Sequence, residues 1–221
     1  LRTALNALEL AALTTHPSQD GVIRIGKEEA EQSIQQKALS MTEDMYYDMI
    51  SAFIKSMRGS DSNAALYWAE RLIEAGCDPM LIGRRIMIHA CEDVGLADPN
   101  AIVVATSCVQ AFERIGLPEG KIPLAEGIIY VSEAPKSNKV VEAIGGAENA
   151  VKTIKRETVP LYLRDPNYKG VDEKVSGYKY PHSYGGWVKQ QYLPDEIKDA
   201  VFYEPTENGF EKTIKERQSK R

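Results

Sequence analysis

The sequence lacks any apolar run approaching the roughly 20 residues that a membrane-spanning helix needs. Charged residues make up 27% of the 221-residue chain and hydrophobic residues 43%, proportions that are typical of an ordinary globular protein. The opening stretch lacks the form of a signal peptide, because Arg2 and Glu9 interrupt its apolar residues. We therefore expect a cytoplasmic protein that has no membrane partner.

Cysteine is scarce in this chain. The three cysteines, Cys77, Cys91 and Cys108, are odd in number and lie far apart in the sequence. The sequence contains no Cys-x-x-Cys pair and no nearby His pair that could complete a zinc site. This usage favours buried free thiols in a reducing compartment over disulfide or metal chemistry. We accordingly predict no metal site.

Positive charge is also in short supply, because the chain has a net charge of -5 at pH 7. A negative field around the whole molecule repels nucleic acid. Any contact with DNA must therefore depend on a local patch of basic side chains.

The segment GVIRIGKE, residues 21 to 28, resembles a phosphate-binding loop but lacks its last element. Glu28 stands where a Ser or Thr hydroxyl should ligand magnesium, and a polar turn precedes the segment instead of a buried strand. The sequence therefore disfavours a nucleotide site here. The alternation at residues 22 to 25 instead predicts a short β segment, and Gly26 is expected to open a helix with Glu28 and Glu29 in its first turn.

Helical patterns dominate the rest of the chain. Asp78-Pro79 and Asp98-Pro99 each place an N-cap residue before a proline at the first helical position. Ser60 or Asp61 can cap another helix. Apolar residues recur at three- and four-residue spacing between these marks, which predicts seven or eight helices with short links. Gly145 and Gly146 are expected to kink or break one of them. The predicted fold class is mainly α: a multi-helix oligomerisation domain with a short β segment and a long irregular C-terminal loop region.

That irregular region follows Thr158 and is rich in Tyr, Gly, Pro and Lys. Its aromatic side chains could stack unpaired bases, or they could be buried against another subunit. We favour the interface. The interface candidates are Tyr178, Tyr180, Tyr184, Trp187 and Tyr192.

The strongest nucleic-acid-binding candidates lie at the start of a predicted helix. Lys136, Asn138 and Lys139 stand where free backbone N–H groups favour an anion, within a stretch richer in basic than in acidic residues. Alternatively, Ser137 caps the helix and the lysines are solvated, and the sequence leaves both interpretations open.

Arg84 and Arg85 form a second candidate pair. Adjacent arginines project about 100 degrees apart on a helix, so that one can face an acidic group while the other reaches solvent. Arg suits both buried ion pairs and phosphate forks. Structural or intersubunit pairing is favoured over nucleic-acid contact, because the net charge is negative.

No complete catalytic constellation is present. Glu92 and Asp93 follow an apolar stretch with helical spacing, so we expect them to close the exposed end of a helix. His89 and His182 lack the partners of a triad, and histidines in such positions are more often structural than catalytic. We predict no catalytic residue in this chain.

Several long motifs together carry a family resemblance. They resemble, in order, the C-terminal half of the RarA/MgsA family of AAA+ ATPases, which is related to the eukaryotic Werner-helicase-interacting protein. The motifs are ISAFIKSMRGSDSNAALYWAERLIEAGCDP, RRIMIHACEDVGLADPNA, GLPEGKIPLAEGIIYVSEAPKSNK and GYKYPHSYGGWVKQQYLP.

The resemblance implies an intact protein with an N-terminal ATPase core that uses ATP and Mg²⁺, a helical lid and a C-terminal region that forms homotetramers. Family members act in DNA replication, recombination and repair at stalled forks and gaps. Their ATPase activity is stimulated by single-stranded or forked DNA, and the bacterial members associate with single-stranded-DNA-binding protein. A nucleoid-associated location in the cytoplasm is implied as well.

The chain begins at Leu1, within an expected helix and without Met, so we expect a fragment of a larger protein. Because both nucleotide motifs of the family are absent, we expect this fragment to need no cofactor of its own. Arg2 matches the family's sensor-2 arginine, although the Gly-Asp that precedes it in the family is absent. The expected divisions are the end of the lid at 1–20, an AAA-associated helical linker at 21–78 and the C-terminal helical domain at 79–221.

These expectations combine into one function: oligomerisation and DNA handling for a replication-associated AAA+ ATPase. A DNA-binding module with incidental oligomerisation and a pure scaffold both remain open. A self-contained hydrolase that uses His182 or the Glu92-Asp93 pair is improbable, because no complete catalytic constellation accompanies either group.

Overall fold

The computed structural model describes residues 2–18, 20–33, 43–154, 159–165 and 177–221. Within these ranges the chain is mainly α-helical and contains no β-strand, which confirms the predicted helical class. The described residues form nine α-helices, one or two more than the sequence predicted. They are α1 (Arg2–Thr14), α2 (Lys27–Ser33), α3 (Glu43–Arg58), α4 (Ser62–Glu74), α5 (Pro79–His89), α6 (Ala101–Ile115), α7 (Lys121–Glu133), α8 (Lys139–Thr153) and α9 (Phe210–Ser219).

The short β segment predicted at residues 22 to 25 is wrong. The backbone N–H of Ser18 donates to the Val22 carbonyl over 3.0 Å, and Arg24 forms an ion pair with Asp20, so these residues complete a local turn. The same guanidinium lowers the pKa of Asp20 to about 2. An alternating segment becomes a strand only when a neighbouring strand pairs with it, and the described chain offers none.

The helix predicted after Gly26 is confirmed as α2. Its first turn contains Glu28 and Glu29, as expected for residues near a positive helix N-terminus. The backbone N–H of Gly26 donates to the Glu29 carboxylate over 2.9 Å. This loop therefore satisfies its own donor with a carboxylate, which suits a helix start better than a phosphate site.

Aspartate caps begin two of the central helices. Asp61 accepts from the backbone N–H of Ala64 at the start of α4, and Asp78 accepts from Met80 at the start of α5. A cap of this kind stabilises a helix by about 1 kcal/mol, because it satisfies a donor that has no partner inside the helix. The local patterns at both sites therefore predicted these helix starts correctly.

Helices α3 to α7 share one apolar core. Helices α5 and α6 approach closely at Gly83, where an added Cβ would lie 3.1 Å from a methyl group of Val109. Each buried Leu or Ile stabilises the folded chain by about 1.5 to 3 kcal/mol, so this core holds the five helices together. The largest fully buried apolar side chains are Phe53, Met57, Leu72, Ile82, Ile86, Leu124, Ile128, Val94 and Val131.

Helix α5 does not end at His89 but continues into a π-helical turn, Ala90–Val94. Gly95 then adopts a positive φ of 53°, and a Cβ at this position would lie 3.1 Å from the Ser137 carbonyl oxygen. Turns of this wider type occur mostly within α-helices and often at functional sites. The turn places its acidic residues beside the end of α3 and the segment between α7 and α8.

Helix α8 continues without interruption through Gly145 and Gly146, so the glycines do not break it, and a kink there stays a prediction. In the described part of residues 159–209, regular structure is limited to three single 3₁₀ turns, Leu161–Leu163, Pro181–Tyr184 and Asp195–Ile197. Part of the predicted loop region, residues 166–176, lies outside the described residues. Among the helices that are described, none has the length and apolar character needed to cross a membrane.

Candidate functional site

A polar groove of about 510 Å³ lies where α3, the π turn, the α7–α8 segment and the chain before α9 meet. It combines two cationic side chains with two carboxylates, so its charge is balanced. Its lining residues are Arg58, Glu92, Asp93, Lys136, Ser137, Asn138, Val141, Thr206 and Asn208.

A chain of charged side chains forms one wall of the groove. Arg58 donates from Nε to Oδ1 of Asp93 over 2.7 Å, and its Nη2 reaches Oε1 of Glu92 at 3.1 Å. Oδ2 of Asp93 lies 2.5 Å from Nδ1 of His89, which is only 2% exposed. The hydrogen bond to Asp93 raises the pKa of Arg58.

The expectation that both acidic residues close an exposed helix end is therefore wrong for Asp93, which is 8% exposed. Glu92 does remain accessible, with 41% of its side chain exposed. The reason is the π turn, which turns Asp93 inward beneath Arg58. No sequence pattern indicates this turn, because its residues continue the helical spacing.

His89, Glu92 and Asp93 also offer ligand atoms within 4.8 Å of one another, a spacing that can hold a metal ion. The chemistry of the cluster does not favour a metal, because the guanidinium of Arg58 already forms ion pairs with both carboxylates. A divalent cation would have to displace that guanidinium. The arrangement is therefore an ion-pair network that connects α3 to the π turn.

Lys136, a predicted nucleic-acid-binding residue, turns towards the protein. Its ammonium donates to the carbonyl oxygens of Val131, Ser132 and Ala134 over 3.0, 2.6 and 2.7 Å. Burial lowers the pKa of Lys136. Because an ammonium has three donors, this residue caps the carboxyl end of α7 with all of them.

The other residues of the predicted basic patch differ in their hydrogen-bond partners and exposure. Lys139 pairs with Glu142 over 2.6 Å, and this hydrogen bond raises the pKa of Lys139. Ser137 accepts from the Lys139 backbone N–H at 3.3 Å, which is part of the capping role considered for it. Asn138 occupies the N-cap position of α8 and is exposed. Nucleic-acid contact by these residues remains a prediction.

A buried glutamate fixes the chain before α9 to this site. Glu211 is fully buried and accepts from Ser137 Oγ at 2.9 Å, from the Thr206 N–H at 2.8 Å and from Tyr203 at 3.2 Å. Burial raises the pKa of Glu211, but the hydrogen bonds from Thr206 and Ser137 outweigh it, so the net pKa is lowered. Burial beside this carboxylate also raises the pKa of Tyr203 to about 12.

Sequence reasoning missed Glu211. An acidic residue in the first turn of the last helix is the only local signal, and it is an ordinary helix feature. The partner Ser137 lies 74 residues away, so no short motif could indicate the bond. A second connection joins the same segments, since Asn208 Nδ2 donates to the Lys136 carbonyl over 2.9 Å.

Arg84 and Arg85 are both exposed on α5, and neither lines the groove. Arg84 approaches Asp78 at 3.6 Å, a loose ion pair between two exposed side chains. Among the described residues, Arg85 has no ion-pair partner. Neither arginine reaches an acidic group of the core, and their intersubunit role remains a prediction.

The five predicted interface aromatics are all accessible to solvent. Their exposed fractions are 47% for Tyr178, 57% for Tyr180, 56% for Tyr184, 43% for Trp187 and 52% for Tyr192. They precede α9 in one segment and lie outside the groove lining.

Gln190 organises part of that segment. Its amide donates to the Lys179 carbonyl over 2.8 Å and to the Tyr192 hydroxyl over 2.6 Å. It also accepts from the Lys179 N–H at 3.2 Å, so the aromatic rings project from a hydrogen-bonded backbone. Arg2, the sensor-2 candidate, is the first residue of α1, and its nucleotide role remains a prediction.

Comparison with known proteins identifies the class. Residues 59–221 match the family described as MgsA AAA+ ATPase C terminal, and residues 1–58 match an AAA C-terminal domain. The chain therefore belongs to the MgsA AAA+ ATPase C-terminal family, which confirms the resemblance seen in the sequence. The division at 20/21 and 78/79 stays a prediction.

Individual relatives agree with this assignment. Replication-associated recombination protein A of Bacillus subtilis is 48% identical over 98% of this chain and 52% of its own length. The protein of the same name from Escherichia coli is 38% identical over 98% of this chain and 50% of its own length. The ATPase WRNIP1 of Dictyostelium discoideum is 32% identical over 92% of this chain and 26% of its own length. The chain thus spans about half the length of the bacterial relatives.

Proposed function

We propose that this chain is the oligomerisation and DNA-handling region of a replication- and recombination-associated AAA+ ATPase that acts at stalled forks or gaps. Family membership and the similarity to bacterial replication-associated recombination proteins support this proposal. In the intact protein, ATP and Mg²⁺ bind the ATPase core, and Arg2 approaches the γ-phosphate. This chain holds several cores at fixed geometry while hydrolysis moves or remodels DNA.

The observation that carries the proposal is the exposure of the aromatic segment, residues 178 to 192. Tyr and Trp are enriched at the centres of protein interfaces, where large rings fill pockets on the partner. Five such rings at 43 to 57% exposure are costly to leave in water. A homotetramer buries them against neighbouring copies of the same chain.

Helix α8 offers further apolar surface for the same assembly. Val141, Ile144 and Val151 recur along it and are 43%, 57% and 73% exposed. The spacings between them, three residues from 141 to 144 and seven residues from 144 to 151, keep the three side chains on one side of the helix. The described helix buries none of its residues completely, so much of its apolar surface remains available to a second copy.

The DNA-handling part of the proposal concerns basic surface near the groove, including Asn138 and Lys139. DNA contact here is local, because the chain has a net charge of -5. Single-stranded-DNA-binding protein is the further partner, and the nucleoid in the cytoplasm is the place of action.

Light scattering on the purified chain, across a concentration series and at two salt concentrations, tests the assembly. We expect a stable tetramer, and we expect the double substitution Tyr184→Ser with Trp187→Ser to lower the mass. Tyr67→Ser is the matched control, because Tyr67 is 57% exposed on α4, outside the aromatic segment. A wild-type chain that remains monomeric at micromolar concentration would falsify the oligomerisation function.

Two other functions give different results in the same preparation. A DNA-binding module with incidental oligomerisation binds a single-stranded oligonucleotide equally well as a monomer. A pure scaffold forms the tetramer and binds no DNA. The proposed function requires both the tetramer and the binding.

A further inference from the structure

We propose that α9, with the adjoining Lys220 and Arg221, is the main surface on which this chain holds the phosphates of DNA. The inference rests on the DNA-handling function proposed above and assigns that contact to a surface beyond the 136–139 patch. The ligand is the phosphodiester backbone, held without regard to base sequence.

The first observation is local charge. Residues 212 to 221 contain five basic residues and one acidic residue, an excess of four positive charges in a chain whose net charge is -5. All five cations are exposed: Lys212, Lys215, Arg217, Lys220 and Arg221. A concentration of this kind attracts phosphates even when the whole-molecule field repels them.

The second observation is that most of these cations have no hydrogen-bond or ion-pair partner among the described residues of the chain. The side chains of Lys212, Lys220 and Arg221 make no hydrogen bond or ion pair with any described residue. Arg217 lies over the Phe210 ring at 5.6 Å, a contact that leaves its N–H donors available. Lys215 is paired, with Glu207 at 2.6 Å.

The predicted basic patch differs in this respect. The Lys136 ammonium donates to three carbonyl oxygens, and Lys139 pairs with Glu142. Arg58 in the groove is held by two carboxylates. A phosphate would have to compete with these internal partners, whereas it meets free ammonium and guanidinium groups on α9.

The third observation is that α9 is anchored. Glu211 accepts from Ser137, and Asn208 donates to the Lys136 carbonyl, so the start of α9 is fixed beside the α7–α8 segment. The described helix has ten residues and is about 15 Å long, while phosphates along one DNA strand repeat about every 3.4 Å. The surface can therefore span several phosphates in a fixed orientation.

The test is binding of a fluorescein-labelled single-stranded oligonucleotide by the 221-residue chain, followed by anisotropy at 50 and 200 mM salt. The variant carries Lys212→Glu, Lys220→Glu and Arg221→Glu. We expect affinity to fall at least about tenfold and the salt slope to decrease by about two, because each phosphate contact contributes about 0.7 to that slope.

The matched control carries Lys27→Glu, Lys55→Glu and Lys198→Glu, which changes the net charge equally at exposed positions elsewhere. An equal loss in both triple variants shows an effect of net charge alone and overturns the assignment. Circular dichroism establishes folding, and a milder triple of Lys212→Gln, Lys220→Gln and Arg221→Gln replaces the first variant if reversal disrupts the helix.

The remaining outcomes separate this inference from the function on which it rests. If the wild-type chain binds DNA and the α9 variants bind equally well, the α9 assignment fails while DNA handling stands. If the wild-type chain does not bind DNA at all, both fail. Association with vesicles of anionic lipid, without binding to DNA, also overturns both.

Discussion

Nε of Arg58 lies 2.7 Å from Oδ1 of Asp93, a bond that joins the end of α3 to the π turn 35 residues later. The second carboxylate oxygen of Asp93 is engaged by His89 at 2.5 Å. Both oxygens of a nearly buried carboxylate are thus used, so the wall of the groove is held at fixed geometry. Removing this carboxylate leaves a guanidinium without its closest partner.

Asp93→Ala is expected to lower the free energy of unfolding by about 2 kcal/mol, because it leaves the buried His89 Nδ1 without its hydrogen-bond partner and removes the closest partner of Arg58. Urea unfolding followed by circular dichroism measures the change. The control is Glu92→Ala, which removes an exposed partner of the same arginine and should cost less than about 1 kcal/mol. Equal losses in the two variants would contradict the central position of Asp93.

Lys136 and Lys139 are expected to respond differently to replacement by Met. Lys136→Met removes three donors from the carboxyl end of α7, so we expect a loss of about 2 kcal/mol in urea unfolding. Lys139→Met removes only an exposed pair and should leave the unfolding curve unchanged. A stable Lys136→Met variant would show that those carbonyl oxygens find other donors.

This contrast affects how the basic patch can be tested. Charge reversal at Lys136 would disturb the end of α7 as well as any phosphate contact, so lost DNA binding could not be assigned to charge. Charge reversal at Lys139, whose partly exposed cation pairs only with Glu142, is the cleaner probe of the patch.

Gly209 is expected to reject a side chain. Its φ is +52°, and a Cβ there would overlap the Ala97 carbonyl oxygen and lie 2.9 Å from Pro135 Cγ. Gly209→Ala should therefore cost about 3 kcal/mol in thermal or urea unfolding, combining left-handed strain with overpacking. Gly185→Ala is the control: it has φ +74° but no neighbour within 4 Å, so it should cost only about 1 kcal/mol.

Glu211 should contribute stability that depends on pH. Its pKa is lowered in the folded protein from an ordinary value of 4.5, so the contribution is complete above pH 4.5 and is lost as pH falls below it. We expect Glu211→Gln to lower the free energy of unfolding by about 2 kcal/mol at pH 7, and the difference from wild type to shrink below pH 4.5.

Urea unfolding between pH 3 and pH 7 measures that difference. Glu216→Gln, an exposed position on the same helix, should follow the wild-type curve throughout. A difference for Glu211→Gln that stays constant across the range would show that the carboxylate's ionisation plays no part in holding α9.

Most of the helical architecture could be predicted because its causes are local. The apolar spacing of α4 to α7 and the caps at Asp61 and Asp78 act within one or two turns of chain. The family resemblance rested on long continuous motifs, and it too was confirmed. The β segment at 22 to 25 failed because a strand depends on a partner that the segment's own pattern cannot supply.

The site itself was decided by the tertiary structure. Asp93 is buried because Arg58 and His89 reach it, Lys136 faces inward because the last carbonyl oxygens of α7 accept its donors, and Glu211 joins a segment 74 residues away. The sequence by itself determined where α4 and α5 begin and which family the chain resembles, whereas α6 begins at Ala101 and not at the predicted Asp98-Pro99. Only the folded chain determined which charged groups are paired inside and which remain free, because such pairing joins residues that no local pattern relates.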